Sequence, residues 1–161
     1  MKKVIITGVA GLIGSHLAFR FLALGYSVWG IDNLVGGYYS NLPLDNNRFT
    51  FIQQDLLDNY ALSKVFKQVE ADGVIHCAAL PHEGLSVFSP KIICENIYTN
   101  TVSTCSAAIA SGVPVFINTT SMARYGNQTP PFVESMTPAP VDPYGLAKVH
   151  AEEHLNLMSD I

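Results

Sequence analysis

The chain has 161 residues, 48% of them hydrophobic and 14% charged, which is enough for one well-filled core and too few for two ordinary domains. A formal charge of −4 with no Lys/Arg cluster gives no electrostatic footprint for a phosphate backbone, so a small molecule is the expected partner and nucleic acid is not. Cys77, Cys94 and Cys105 lack CxxC spacing and two of them fall in apolar segments, as reduced thiols of a cytoplasmic protein do.

The opening Met1-Lys2-Lys3 and its apolar run superficially resemble a signal peptide. Gly8, Gly11 and Gly14 interrupt that run, His16 and Arg20 fall where it would continue, and no small-x-small cleavage site follows. A buried first strand, Lys3 to Thr7, is the better account, and no stretch is expected to span a membrane. Further strands are expected at Ser27 to Ile31, Phe49 to Gln53, Gly73 to Ala78 and Pro114 to Thr119. Ile13, Leu17 and Phe21 suggest the buried stripe of a first helix, which Gly25 should end in a left-handed cap. Tyr60 to Val69 and Lys91 to Ser111 have helical period, and Gly112 ends the second. The proline-rich stretch from Tyr125 to Val141 cannot be regular structure, and a last helix should begin near Asp142-Pro143. Short apolar strands alternating with helices predict an α/β fold: a Rossmann-type doubly wound parallel sheet with helices on both faces, in one domain over residues 1–161.

Such a sheet binds ligands at the carboxyl ends of its strands, where the first turn meets a helix N-terminus. Gly8 suits the tight turn, Gly11 lets backbone approach a pyrophosphate, and Gly14 lets the helix pack on the sheet. The spacing is GxxGxxG, one residue longer than GxGxxG. Asp32, at the end of the second strand, can accept both ribose hydroxyls of an adenosine. A carboxylate there repels a 2′-phosphate and no Arg follows it, so NAD is expected over NADP.

Thr119-Thr120-Ser121 ends the fifth strand, and the last helix carries Tyr144 and Lys148 four residues apart, on one face. The Lys148 ammonium can stabilise a Tyr144 phenolate, making the phenol a base, while the Ser121 hydroxyl holds the alcohol being oxidised. YxxxK alone is weak; its place after strand five and a hydroxyl-rich strand end gives it weight.

With these residues in order, the chain resembles the extended short-chain dehydrogenase/reductase family, most nearly its NAD-dependent sugar-nucleotide epimerases and dehydratases of the UDP-glucose 4-epimerase-like kind. The motifs are Thr7 to Gly14, Asp32-Asn33-Leu34 continued to Asn41-Leu42, Asp55-Leu56, His76-Cys77-Ala78-Ala79, Thr120-Ser121 with Tyr125-Gly126, and Tyr144 with Lys148. The resemblance implies NAD contact by Leu12 and Ile13 at the phosphates, by Asp32 and Asn33 at the ribose, and by Asp55 and Leu56 at the adenine. It implies Ala78, Ala79 and Leu80 beside the nicotinamide, with Pro81 to Val87 in a nucleotide-sugar pocket. The family's helix asparagine matches Asn96, with Asn100 one turn on as the alternative. In such enzymes Tyr144 would take a proton from a sugar hydroxyl as hydride passes to NAD, and the resemblance also implies a homodimer.

Against the family pattern, Thr stands at 120 where Ser is usual, and Thr99 and Asn100 replace small residues. The chain ends at Ile161, so the substrate domain that grips the nucleotide sugar is expected to be absent. That leaves a piece of a longer enzyme or a short relative that holds NAD without turnover. His150-Ala151-Glu152-Glu153-His154 spells the HxxEH zinc pattern, but only Asp160 remains as a third ligand, so no metal is expected. His16 and His82 read as surface or pocket groups and His76 as an ordinary strand-end residue.

Overall fold

The computed structural model describes residues 2–159. Five strands, β1 (Lys3–Thr7), β2 (Ser27–Asp32), β3 (Phe49–Gln53), β4 (Gly73–His76) and β5 (Phe116–Asn118), form one parallel sheet in the order β3-β2-β1-β4-β5. The helices are α1 (Leu12–Ala23), α2 (Asn59–Val69), α3 (Pro90–Cys94), α4 (Asn100–Ala110) and α5 (Pro143–Ser159). This is the Rossmann-type fold expected, with the order reversing beside β1, where ligands of such sheets bind.

The chain divides into two compact units. The first runs through Ala79 and resumes at Ser103–Thr119; the second comprises Leu80–Val102 and the segment from Thr120 onward.

In the first unit, β1 lies at the centre of the sheet, and Val4, Ile5 and Ile6 are apolar because both of its faces are covered. Ile5, Ile31 and Val74 point to one side, where they pack with Leu62 and Phe66 of α2 and with Ala107 and Ala108 of α4. Val4, Ile6, Val28 and Ile75 point to the other and meet Ala18 and Leu22 of α1. The α1 stripe therefore differs from the expected one. Ile13 is exposed, and the buried line is Gly14, Ser15, Ala18 and Leu22, with Leu17 and Phe21 only partly covered. Close approach to the sheet selects small residues, so hydrophobicity alone misplaces the face. α1 ends as expected: Gly25 has φ +89°, its N–H donates to the Leu22 carbonyl, and the Tyr26 N–H donates to that of Phe21. The Phe21 and Tyr26 rings close this cap edge to face at 5.0 Å.

His76 is a core residue rather than an ordinary strand end, only 2% exposed. The Thr7 hydroxyl accepts the Ala78 N–H at 3.3 Å and shares a hydrogen bond with His76 Nδ1 at 2.7 Å.

The expected helix from Lys91 to Ser111 is interrupted. Between α3 and α4, residues Glu95–Thr99 form a π-helical turn. Asn100 Nδ2 donates to the Asn96 carbonyl at 2.5 Å and Thr101 Oγ1 to that of Ile97 at 2.6 Å. Two consecutive side chains thus compete for carbonyls of the helical ladder, which periodicity does not reveal. In the second unit α5 packs on α3 and on this π turn, burying Ile93, Ile97, Ala147 and Ala151. The stretch after Tyr125 is irregular, as its prolines require, and folds back so that the Ala139 N–H donates to the Arg124 carbonyl at 2.8 Å.

Candidate functional site

The glycine turn of the first unit is a cradle that side chains would fill. Gly8 has φ +67°, and a Cβ there would lie 2.7 Å from the Ala78 nitrogen; a Cβ on Gly14 would overlap the Gly8 carbonyl oxygen. Gly11 is the N-cap of α1 and offers no capping side chain, the first turn carries no acidic residue, and Leu12 and Ile13 are exposed. The first-turn N–H groups and the positive end of the α1 dipole are thereby left to an anion, which fits a pyrophosphate.

Asp32 closes this turn. Its Oδ2 accepts the Ala10 N–H at 2.9 Å and its Oδ1 the Leu34 N–H at 2.8 Å. Each oxygen keeps a second lone-pair direction for a hydroxyl donor. The loop after β2 reinforces the arrangement: Asn41 Nδ2 and the Tyr38 N–H both donate to the Ala10 carbonyl, at 2.7 and 3.1 Å. Leu34 takes the left-handed conformation at φ 65°, and a Cβ on Gly37 would meet Ala10 at 2.6 Å. Asn33 and Asp55 meet through Asn33 Nδ2 and Asp55 Oδ2 at 3.1 Å. Leu56, expected at the adenine, is buried in the core, so only its backbone can face a ligand. Ala78 and Ala79 follow β4 half-buried.

In the second unit, Tyr144 and Lys148 stand one turn apart on α5, 8% and 5% exposed. Both side chains are therefore covered on this helix face rather than solvated. Asp142 Oδ1 caps the helix by accepting the Gly145 N–H at 2.8 Å. A Cβ on Gly145 would lie 2.7 Å from the Ala123 carbonyl oxygen, so Gly145 allows close approach of the turn that carries Ser121. Ser121 Oγ accepts the Ala123 N–H at 3.2 Å and keeps its proton to donate. Asn96 donates its amide to its own helix, at the Ile92 carbonyl, and Asn100 is the more buried of the two asparagines. Leu80 begins the unit, half-buried.

Sequence reasoning missed a polar group beside Ser121. The Thr120 hydroxyl donates to Glu152 Oε1, and Arg124 Nη2 lies 3.1 Å from Glu152 Oε2. The available signal was the repeat of four, Tyr144, Lys148, Glu152, which sets all three on one helix face. His150 and His154 both stand edge-on to the Tyr98 ring, at 6.1 Å each. Asp160, the third ligand weighed for a metal, lies outside the described residues.

Residues 4–160 match the family model described as NAD dependent epimerase/dehydratase family. UDP-arabinose 4-epimerase 1 of Arabidopsis thaliana is 36% identical over 160 residues, spanning 95% of this chain and 38% of that protein. The UDP-Glc/GlcNAc 4-epimerase of Campylobacter jejuni superposes with a TM-score of 0.94 at 31% identity, over 99% of this chain and 49% of that one. The UDP-glucose 4-epimerase of Brucella ovis, crystallised with NAD, superposes with a TM-score of 0.92 at 31% identity, over 99% and 48%. The chain thus spans between about two fifths and half of the length of these relatives. NAD, expected from the glycine turn and Asp32, is the cofactor named by the family. A match across nearly the whole chain, with the parallel sheet and the glycine turn in place, makes the chain a member of the NAD-dependent epimerase/dehydratase family.

Proposed function

We propose that the protein is an NAD-dependent nucleotide-sugar epimerase or dehydratase, acting on a UDP-sugar by transient oxidation to a keto sugar. The observation that carries this reading is the buried Tyr144–Lys148 pair on α5, in a chain whose glycine turn and Asp32 fit a dinucleotide. Relatives named as UDP-arabinose and UDP-glucose 4-epimerases support the substrate class.

In this reading NAD supplies, when bound, the acceptor and donor of hydride. Gly8, Gly11 and Gly14 shape the turn, the N–H groups of Leu12 and Ile13 hold its phosphates, and Asp32 with Asn33 holds the adenosine ribose. Asp55 and the Leu56 backbone border the adenine, and Ala78, Ala79 and Leu80 the nicotinamide. Tyr144 Oη takes the proton from the sugar hydroxyl and later returns it. Lys148 stabilises the phenolate by its charge, and the Ser121 hydroxyl donates to the same sugar oxygen. Asn96, or Asn100 one turn on, is the helix asparagine assigned to the cofactor.

The test uses the protein as its source makes it, with its mass measured, loaded with NAD and given UDP-glucose, UDP-arabinose and UDP-N-acetylglucosamine in turn. One of them is expected to give a 4-epimer or a dehydrated keto sugar by chromatography, with reduced nicotinamide visible at substrate saturation. Tight NAD binding with no change in any sugar would favour a module that holds NAD without turnover.

A further inference from the structure

Glu152 is joined to the Ser121 turn at both of its oxygens. Oε1 accepts the Thr120 hydroxyl, and Oε2 lies 3.1 Å from Arg124 Nη2, so the residues on either side of the Ser121-Met122-Ala123 turn are held by one carboxylate. Both charged side chains are mostly covered, Arg124 at 18% and Glu152 at 19% exposure, which lifts the pair above a solvated surface ion pair. Arg124 is itself confined. Its guanidinium lies 5.1 Å from the Tyr125 ring centroid, Tyr125 stacks on Phe132 at 4.8 Å, and the Arg124 carbonyl accepts the Ala139 N–H at 2.8 Å. On the helix, Glu152 is two turns beyond Tyr144 and one beyond Lys148, on the same face. Between these two anchored residues, the Ala123 carbonyl lies against Gly145, next to Tyr144.

Two contacts therefore fix the Ser121 turn along α5. Ala123 against Gly145 sets its distance from the helix. The Glu152 carboxylate sets its rotation, because Thr120 and Arg124 reach it from either side of Ser121. A turn held only at Ala123 could pivot and carry the Ser121 hydroxyl away from the sugar oxygen that Tyr144 serves.

We propose that Glu152, held by Arg124, is a positioning residue that orients the Thr120-Ser121 segment on α5 and so aligns the Ser121 hydroxyl with Tyr144. This rests on the reading given under the proposed function. It predicts that loss of the carboxylate lowers the rate of the chemical step while leaving cofactor and substrate binding in place.

Glu152→Gln and the milder, isosteric Thr120→Val test it, with Thr120→Ser as the conservative control. Hydrogen exchange of the Ala123 amide, which bonds Ser121 Oγ at 3.2 Å, is followed by NMR on the full chain and needs no turnover. Exchange is expected to accelerate tenfold or more in Glu152→Gln and Thr120→Val and to stay near the wild-type rate in Thr120→Ser. In the protein as its source makes it, kcat is expected to fall tenfold or more with KM and NAD affinity within about twofold. In a Ser121→Ala background, Glu152→Gln is expected to cost less than threefold further. Should Glu152→Gln fail to fold, Thr120→Val carries the same comparison. Unchanged Ala123 exchange, equal losses with and without Ser121, or a parallel fall in NAD affinity would each overturn the proposal. An inactive wild-type protein would instead remove the functional reading and leave the orientation of the turn to be decided by exchange alone.

Discussion

The Asp32 carboxylate accepts the Ala10 backbone N–H at 2.9 Å, joining the end of β2 to the glycine turn after β1. The same carboxylate takes the Leu34 N–H, so a residue expected to read the ribose also shapes the turn that meets the phosphates. Asp32→Asn should therefore lose twice: a charged acceptor for the ribose hydroxyls, and one of two backbone acceptors, since an amide offers a single oxygen. NAD affinity is expected to fall by roughly tenfold to a hundredfold, as loss of a charged hydrogen bond implies. With the wild-type residue, NADP should bind at least about tenfold more weakly than NAD, because residues 33–47 hold no Lys or Arg to meet a 2′-phosphate. Calorimetric titration of both cofactors checks this, and equal affinities would remove Asp32 from the ribose.

Gly14→Ala tests the packing of α1. The added methyl would overlap the Gly8 carbonyl oxygen, which belongs to the turn itself and has little freedom to yield. Stability should fall by about 2 kcal/mol or more, as overpacking of a closed site does, and NAD affinity should fall with it because the turn must move. Urea unfolding with and without NAD reads both. A substitution at Gly84, where a Cβ meets nothing within 4 Å, should leave both unchanged.

Much of this was legible in the sequence because the signals were local. Gly25 announced its cap, Asp142-Pro143 its helix start, and the apolar run Lys3–Thr7 a strand buried on both faces. What was not legible depended on competition or distance. Ile13 is more hydrophobic than Gly14, yet the helix turns Gly14 inward because only a hydrogen fits beneath it. The π turn at Glu95–Thr99 arises from side chains taking carbonyls of their own helix, and a hydrophobic period averages over such an event. The Glu152 carboxylate gains its meaning from Thr120 and Arg124, some thirty residues away in sequence.

The three cysteines should separate by reactivity. Cys94 is exposed and Cys77 half-buried, while Cys105 is buried on α4 and desolvation pushes its thiol above the ordinary range. A thiol so raised holds less thiolate at pH 8, and burial also blocks access. Iodoacetamide should label Cys94 first and Cys105 only on unfolding, as read by peptide mass mapping. A raised folded-state value also means that Cys105 favours the fold below the ordinary thiol pKa and that this contribution is lost as pH rises through the folded value. Fast labelling of Cys105 in the folded chain would contradict its burial.

Self-association is expected through the outward sides of α3 and α5, where Ile92, Leu146 and Leu157 are exposed at 50%, 45% and 65%. Exposed apolar groups on two adjoining helices form a surface that a second copy can cover. Light scattering should find a dimer, and Leu146→Glu should shift it towards monomer without reducing NAD affinity, since Leu146 is not among the residues assigned to NAD. A strict monomer at high concentration would count against it.

The chemical prediction rests on Tyr144. Tyr144→Phe removes one hydroxyl and leaves the ring, so the helix face that buries it, only 8% exposed, should repack little. Turnover should nevertheless fall by roughly a hundredfold or more, the scale of a lost general base, with NAD affinity within a few-fold of wild type. Lys148→Ala should do more damage. It takes away the charge that favours the phenolate and empties a site that is 5% exposed, so both the rate and the folding free energy should suffer. Lys148→Met, which restores the volume without the charge, separates the two effects: stability should recover while turnover stays low. Turnover in Tyr144→Phe equal to wild type would remove the phenol from proton transfer. Recovery of turnover in Lys148→Met would show that Lys148 acts by packing and not by charge.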